Sequence, residues 1–351
     1  MGDNCVEREI MHKLRVIFTI VLLCASAWAA TNVRQVAILD LPGRPGFDEM
    51  VFAKGMLVIA HPSSNTVEIF DPFKRRIVGA VKDMSSPRGM ALSSDGAFIY
   101  IANHDANNIV VLETENWQVQ RMVPVEGQPE SVLPVPNSHL LLVTLPEQEQ
   151  VAAVDLGRGQ QLSAVPVGGR PEDLAFDTSR NIAYATIQDS KEIVAISPSM
   201  QVSKRIPLAA SLPTGLVYDP TADRLYVAVR YAVLTIDPRT GTELGRVPAA
   251  AGVDHLWLDT KSQTLYAMAA GSVFIMKAGG RLGEALEVPV DVKGHTLAFD
   301  PKKDFIYIPG GREGRAKLLI LKQLGPAGTP QTQNAATPVN PPASGTETAS
   351  K

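Results

Sequence analysis

The sequence has 351 residues, of which 45% are hydrophobic, and a formal net charge of −3. The hydrophobic fraction is sufficient for a large buried core. The small net charge argues against an overall affinity for nucleic acid or anionic membranes, which attract strongly basic proteins.

The N-terminal segment has the pattern of an export signal. Lys13 and Arg15 precede an apolar run at 16–25, and the small residues that follow predict cleavage after Ala29. We expect residues 1–29 to be a signal peptide and the mature protein to be periplasmic or extracellular. The apolar run is too short to span a bilayer comfortably, so we predict no transmembrane segment after cleavage.

Both cysteines, Cys5 and Cys24, lie in this predicted signal. Cleavage would leave a mature chain without disulfides and without cysteine-based metal or nucleophile chemistry. Translation from Met11 would give a more ordinary signal than the acidic stretch before it. A lipoprotein cut before Cys24 is an alternative, but Leu23 stands where a small residue is expected.

A sevenfold repeat follows. An equivalent aromatic or aliphatic residue recurs in it at intervals of 42, 42, 42, 42, 40 and 41 residues. The recurring position is occupied by Val58, Tyr100, Leu142, Tyr184, Tyr226, Tyr266 and Tyr307. Such a period is typical of a β-propeller, because one four-stranded blade needs about 40–45 residues. We therefore predict an all-β fold, a seven-bladed β-propeller of four-stranded antiparallel blades, formed by residues 30–324.

The second repeat shows the strands of a blade most clearly. We predict an inner strand at 90–92, a turn at Ser94-Asp95-Gly96, a second strand at 98–102, a third at 109–112 and an outer strand with Val119, Met122 and Val125. The same plan predicts the other third strands at 67–70, 151–154, 193–196, 233–236, 273–276 and 318–321.

The seventh repeat lacks an outer strand. After Tyr307 only the apolar run at 318–321 remains, while the apolar run at 33–41 precedes the first blade without a partner. We predict that the mature N-terminal strand pairs with the last blade and closes the ring, which removes free sheet edges. Residues 325–351, rich in Pro, Thr and Ala, have little to bury and are predicted to form a disordered tail.

The phrase at 93–103, Ser-Ser-Asp-Gly-Ala-Phe-Ile-Tyr-Ile-Ala-Asn, followed by Asn-Asn-Ile-Val-Val-Leu at 107–112, resembles the YVTN-type propeller repeat. The last repeat, at 294–300 and 307–315, is similar to the terminal blade of exported YncE-like members. The resemblance covers about residues 33–324 and implies the fold. It does not select a function, since relatives include lactonases, lyases, quinoprotein dehydrogenase subunits, surface-layer proteins and nucleic-acid binders, and no catalytic motif of an enzymatic relative is matched.

Candidate site residues come from the segments that lead into the inner strands, which gather around the mouth of the central channel in a propeller. Aligning the repeats gives one equivalent position, to which the first blade would contribute Gly46 or Phe47. The other six blades place there Arg88, Glu130, Glu172, Thr214, Asp254 and His295. Asp173 and His255 occupy the next position, and loops on the same face carry His61, His104, Arg230 and Arg312.

This set predicts a concave polar site for a small polar ligand or an envelope protein partner. The alternative is that these groups only solvate a channel mouth, as polar residues do in propellers generally. No cofactor is predicted, and a divalent cation is a weaker alternative, because its ligands would have to come from different blades.

We therefore expect an exported binding or scaffold module that is a monomer. A different class, a lactonase- or lyase-like enzyme using His255, His295, Asp254 and Glu172, stays open, although no nucleophile motif is present. A second alternative, single-stranded nucleic-acid binding, is disfavoured because aromatic residues make up only 6% of the chain and show no basic interleaving.

Overall fold

The computed structural model describes residues 33–324, which form seven four-stranded antiparallel sheets arranged as the blades of a propeller. One strand, β1 (Val33–Asp40), precedes the first blade. Blades one and two contain β2 (Met50–Ala53), β3 (Met56–His61), β4 (Thr66–Asp71) and β5 (Arg76–Val81), then β6 (Pro87–Leu92), β7 (Phe98–Asn103), β8 (Asn108–Glu113) and β9 (Val119–Pro124). Blades three and four contain β10 (Val132–Pro134), β11 (Leu140–Leu145), β12 (Gln150–Asp155) and β13 (Gln160–Pro166), then β14 (Pro171–Asp177), β15 (Ile182–Ile187), β16 (Glu192–Ile196) and β17 (Val202–Pro207).

The remaining blades follow the same plan, with the last one borrowing a strand. Blades five and six contain β18 (Leu216–Asp219), β19 (Arg224–Val229), β20 (Ala232–Ile236) and β21 (Glu243–Pro248), then β22 (Leu256–Asp259), β23 (Thr264–Ala269), β24 (Ser272–Lys277) and β25 (Leu286–Pro289). Blade seven contains β26 (Ala298–Asp300), β27 (Phe305–Arg312), β28 (Arg315–Gln323) and β1. The predicted fold class and strand order are confirmed.

The ring closes as predicted. Strand β1 pairs antiparallel with β28, from Val33 opposite Gln323 to Asp40 opposite Lys317. An ion pair of 2.6 Å joins the Asp40 and Lys317 side chains at one end of this pairing. The first strand of the described chain therefore completes its last blade.

Acidic residues at strand ends shape the turns. The Asp177 carboxylate accepts hydrogen bonds from the backbone N–H groups of Ser179 and Arg180, at 2.9 and 3.1 Å. Equivalent bonds form at Asp71, Asp155, Asp219 and Asp237. A short carboxylate that captures the next N–H groups favours a tight turn over a longer strand.

The hydrophobic core lies between neighbouring blades. Tyr226 of blade five is fully buried and packs in one cluster with Leu256 and Phe274 of blade six. Four of the five repeat tyrosines are buried in this way, whereas Tyr100 is half-buried. Each repeat therefore completes its core only against the next one.

The predicted signal peptide and the predicted tail lie outside the described residues. Within residues 33–324, no helix is long and apolar enough to cross a membrane.

Candidate functional site

A cavity of about 180 Å³ lies at the mouth of the central channel. Two consecutive residues from every blade line it. These pairs are Asp48 and Glu49, Arg88 and Gly89, Glu130 and Ser131, Glu172 and Asp173, Thr214 and Gly215, Asp254 and His255, and His295 and Thr296. We call this cavity the channel mouth.

Backbone bonds to the second strand hold these pairs in place. The N–H of Glu130 donates to the Thr144 carbonyl at 3.0 Å, and the N–H of Thr144 donates back to the Ser131 carbonyl. The pairs at Asp48, Thr214 and Asp254 are held in the same way. The side chains of these four pairs therefore project from backbone that is hydrogen-bonded to the blade.

Hydrogen bonds between neighbouring blades link the pairs into a ring, and two arrangements recur. Where the second residue is acidic, its carboxylate accepts the N–H of the next inner strand: Glu49 from Met90 and Asp173 from Leu216, both at 2.9 Å. Where it is glycine, its own N–H donates to the next blade, as Gly215 does to the Asp254 carbonyl at 2.9 Å. The mouth is preorganised by these contacts.

Carboxylates dominate the charge of the mouth. Its lining includes six of them, Asp48, Glu49, Glu130, Glu172, Asp173 and Asp254, against one arginine and two histidines. The Arg88 guanidinium lies 3.6 Å from Asp48 and 3.5 Å from Glu130. One guanidinium thus pairs with two acids. Among residues 33–324, no other arginine or lysine forms an ion pair with the carboxylates of the mouth.

Burial and mutual repulsion raise the pKa of these acids. Burial, with the negative charge of Asp48, raises the pKa of Glu130 to about 8. Burial, with the charge of Asp254, raises the pKa of Glu172 to about 7, and burial with the charge of Glu49 raises that of Asp173 to about 6. Near neutral pH the mouth therefore keeps protons that ordinary carboxyl groups would have lost.

The two histidines differ in their surroundings. The ring of His295 is bound on both sides, with Nδ1 3.0 Å from the Asp254 carboxylate and Nε2 donating to the Phe47 carbonyl at 2.7 Å. The bond to Asp254 raises the pKa of His295 to about 9. Burial acts to lower the pKa of His255, but the nearby Glu49 carboxylate, 3.8 Å away, outweighs it and raises that pKa.

Three buried polar atoms of residues at the mouth have no hydrogen-bond partner among residues 33–324. They are Oγ1 of Thr296, whose residue is 2% exposed, Nδ1 of His255 and Nε of Arg88. A buried group left without a partner costs about 1–3 kcal/mol. Polar atoms of this kind mark places where a ligand atom or water can form a bond.

An adjoining groove of about 560 Å³ opens beside the mouth and is lined by residues of blades four, five and six. Glu172, Thr214 and Asp254 line both spaces. The groove adds Arg230 and Tyr231 to the surface that a ligand at the mouth can reach.

The structure brings eight of the ten predicted site residues together in the channel mouth: Arg88, Glu130, Glu172, Asp173, Thr214, Asp254, His255 and His295. Arg230 lies in the adjoining groove. Arg312 pairs with Asp291 at 3.0 Å and does not line the channel mouth. That these residues bind a ligand stays a prediction.

The residue predicted for blade one needs correction. Asp48 and Glu49 occupy the position assigned to Gly46 or Phe47. Asp48 and Arg88 are 40 residues apart, and so are Thr214 and Asp254. A repeat of 40 residues instead of 42 would therefore have identified Asp48 as the equivalent residue of blade one.

The two loop histidines predicted for this face lie in different surroundings. His61 is fully buried, stacks on Phe47 at 4.1 Å and hydrogen-bonds the Arg44 carbonyl at 2.8 Å. Its role is to fix the loop before blade one. His104 lies 3.6 Å from Glu130 and therefore borders the mouth.

The divalent cation considered for this site stays a prediction. Among residues 33–324, no group of three or more His, Cys, Asp or Glu side chains is arranged to hold one. The carboxylates of Glu49 and Asp173 are already engaged with backbone N–H groups, which directs them towards the protein.

Comparison with known proteins supports the fold alone. No protein-family model and no curated protein matches the sequence. Among solved structures, hydrazine synthase of Kuenenia stuttgartiensis superposes with a TM-score of 0.69 at 16% sequence identity, over 79% of this chain and 96% of that chain. The YVTN-type resemblance stays a prediction.

Proposed function

We propose that this protein is a binding module whose channel mouth holds a small polar ligand that carries a positive charge. The observation that carries the proposal is the number of carboxylates: six acids line a single cavity with one arginine and two histidines. A positively charged group would take the place of the protons on Glu130 and Glu172 and relieve their repulsion.

Binding fits the geometry better than acid–base catalysis by the predicted histidine cluster. A catalytic base needs a free nitrogen within reach of the proton that it removes. Both ring nitrogens of His295 are engaged, and its raised pKa favours the charged form. His255 has a free Nδ1, but its pKa is raised as well, which favours the protonated ring that cannot accept a proton. Nucleic acid fits poorly as well, because its phosphates would meet the carboxylates of the mouth.

The proposal includes export, which rests on the signal pattern of residues 1–29. N-terminal sequencing of the protein recovered from the secreting cell tests this part: a mature chain that begins near Ala30 supports it. A chain recovered only with residues 1–29 still attached would contradict export with signal cleavage.

The binding proposal is tested by titration calorimetry with small amines such as putrescine and ethanolamine. We expect saturable binding that tightens as the pH rises from about 6 to about 8.5, because Glu130 and Glu172 then lose the protons with which the cation competes. The double variant Glu130→Gln and Glu172→Gln should weaken binding about tenfold or more, since charge-assisted hydrogen bonds contribute about 1.5–3 kcal/mol.

The matched control neutralises two exposed acids away from the mouth, Glu115→Gln and Glu284→Gln. It should bind the amines as the unmodified protein does. Binding of sugar acids in preference to amines, tightening towards low pH, would overturn the proposal, as would the absence of binding by every amine.

A further inference from the structure

The groove beside the channel mouth offers a different chemistry from the mouth itself. It is continuous with the mouth through Glu172 and Asp254, which line both spaces. A ligand group held by these two acids therefore has the groove directly beside it.

Arg230 is the basic residue of this groove. Its side chain makes no hydrogen bond or ion pair within residues 33–324, although its guanidinium lies 5.6 Å from the centre of the Tyr231 ring. The backbone of Arg230 is anchored, since its N–H donates to Ser211 and its carbonyl accepts from Gly252. A cation–π contact at this distance uses none of the guanidinium N–H groups, so they stay able to donate to a carboxylate.

The groove also exposes apolar surface. Tyr231 is 58% exposed and Leu212 is 39% exposed, which places them among the few large hydrophobic residues that the described chain leaves at its surface. Val253 and Ala251 contribute further apolar lining. An apolar ligand body would gain about 25 cal/mol for each Å² of apolar surface removed from water here.

Three recognition elements thus line one groove beside the mouth: acids that suit an ammonium group, a guanidinium that suits a carboxylate, and an apolar wall. We propose that the ligand is a free apolar α-amino acid, with its ammonium group at Glu172 and Asp254, its carboxylate at Arg230 and its side chain against Leu212 and Tyr231. An α-amino acid carries all three groups on one carbon, which matches their convergence. This inference rests on the proposed function of the channel mouth and specifies its ligand.

The test is calorimetric titration with four compounds: phenylalanine, leucine, glycine and phenethylamine, the last of which lacks only the carboxylate of phenylalanine. We expect phenylalanine and leucine to bind at least about tenfold more tightly than glycine or phenethylamine. The variant Arg230→Gln should weaken phenylalanine about tenfold and leave phenethylamine unchanged, because only phenylalanine presents an anion to this residue.

The control variant is Arg312→Gln, which removes an arginine of the same face that pairs with Asp291 instead of lining the groove. It should leave all four affinities unchanged, and circular dichroism should show both variants folded. Equal affinity for phenylalanine and phenethylamine, or no effect of Arg230→Gln, would overturn the inference while leaving the cation site at the mouth intact. Failure of all four compounds and of the simple amines to bind would overturn both.

Discussion

At the residue scale, the channel mouth depends on glycines whose lack of a side chain lets neighbouring blades approach closely. Gly215 donates its N–H to the Asp254 carbonyl, and Gly89 makes the same bond to Glu130. A Cβ atom at Gly215 would lie 2.4 Å from the Asp254 oxygen, and one at Gly89 would lie 2.5 Å from the Glu130 oxygen. Both obstacles are backbone atoms, so a larger residue must push two blades apart.

We therefore expect Gly215→Ala to lower the free energy of unfolding by about 1–3 kcal/mol, the usual cost of forcing extra atoms into a packed site. Gly280→Ala is the matched control, because nothing lies within 4 Å of a Cβ atom there. Denaturant unfolding of both variants measures the difference. Equal stability of the two would show that the blades tolerate the displacement.

Also at the residue scale, two histidines that the repeat alignment places on the same face have different roles. His61 and His104 both belong to loops on the mouth face, yet His61 turns inward to hold Arg44 and Phe47. A buried imidazole bonded on both sides secures a loop. Only His104 faces a mouth carboxylate.

At the scale of elements, β1 is the strand that closes the ring of blades. It covers the free edge of β28 along eight residues, and its half-buried Val36, Ile38 and Leu39 extend the core of the last blade. Without it the edge of β28 would be open to pairing with another chain.

Deleting residues 33–40 should lower the free energy of unfolding by at least about 3 kcal/mol, since several apolar side chains leave the core, and should promote association. Thermal unfolding and size-exclusion chromatography measure the two effects. Lys317→Met is the control that breaks only the ion pair with the exposed Asp40, and it should leave the stability nearly unchanged. A deletion variant that stays monomeric with unchanged stability would contradict the role of β1.

At the scale of the whole molecule, the raised pKa values of the mouth act on stability in one direction. Folding raises the pKa of Glu130 from 4.5 to about 8 and that of His295 from 6.5 to about 9. The folded protein therefore holds more protons than the unfolded chain across this range. Stability falls as the pH rises, because the acid loses its neutral form and the histidine loses its favourable charge.

We expect the free energy of unfolding to be lower at about pH 8.5 than at about pH 5.5, by on the order of 1–3 kcal/mol once solvent screening is included. Glu130→Gln should flatten this dependence and make the protein more stable than the unmodified chain at the higher pH. Glu115→Gln, a change at an exposed acid, should leave the slope as it is. A stability maximum above about pH 8 would contradict the assignment of buried, protonated acids to the mouth.

The sequence by itself determined the number of blades, the position of each third strand and the closure by β1. Period, alternation and turn residues are local signals, and each repeat contains all of them. They also placed Glu130, Glu172, Asp254 and His295 on one face, because equivalent positions in equivalent blades must meet around the channel. The residue of the first blade was assigned wrongly, because the repeat shortens to 40 residues between Asp48 and Arg88.

Only the tertiary structure decided which of these groups touch, and that contact sets their chemistry. The 3.0 Å pairing of His295 with Asp254 joins blades seven and six, and the opposition of Glu49 and His255 joins blades one and six. The burial that raises the pKa of Glu130 likewise needs the complete ring. A repeat signal gives each residue its place within one blade, whereas distances and charges across the channel depend on how seven blades pack together.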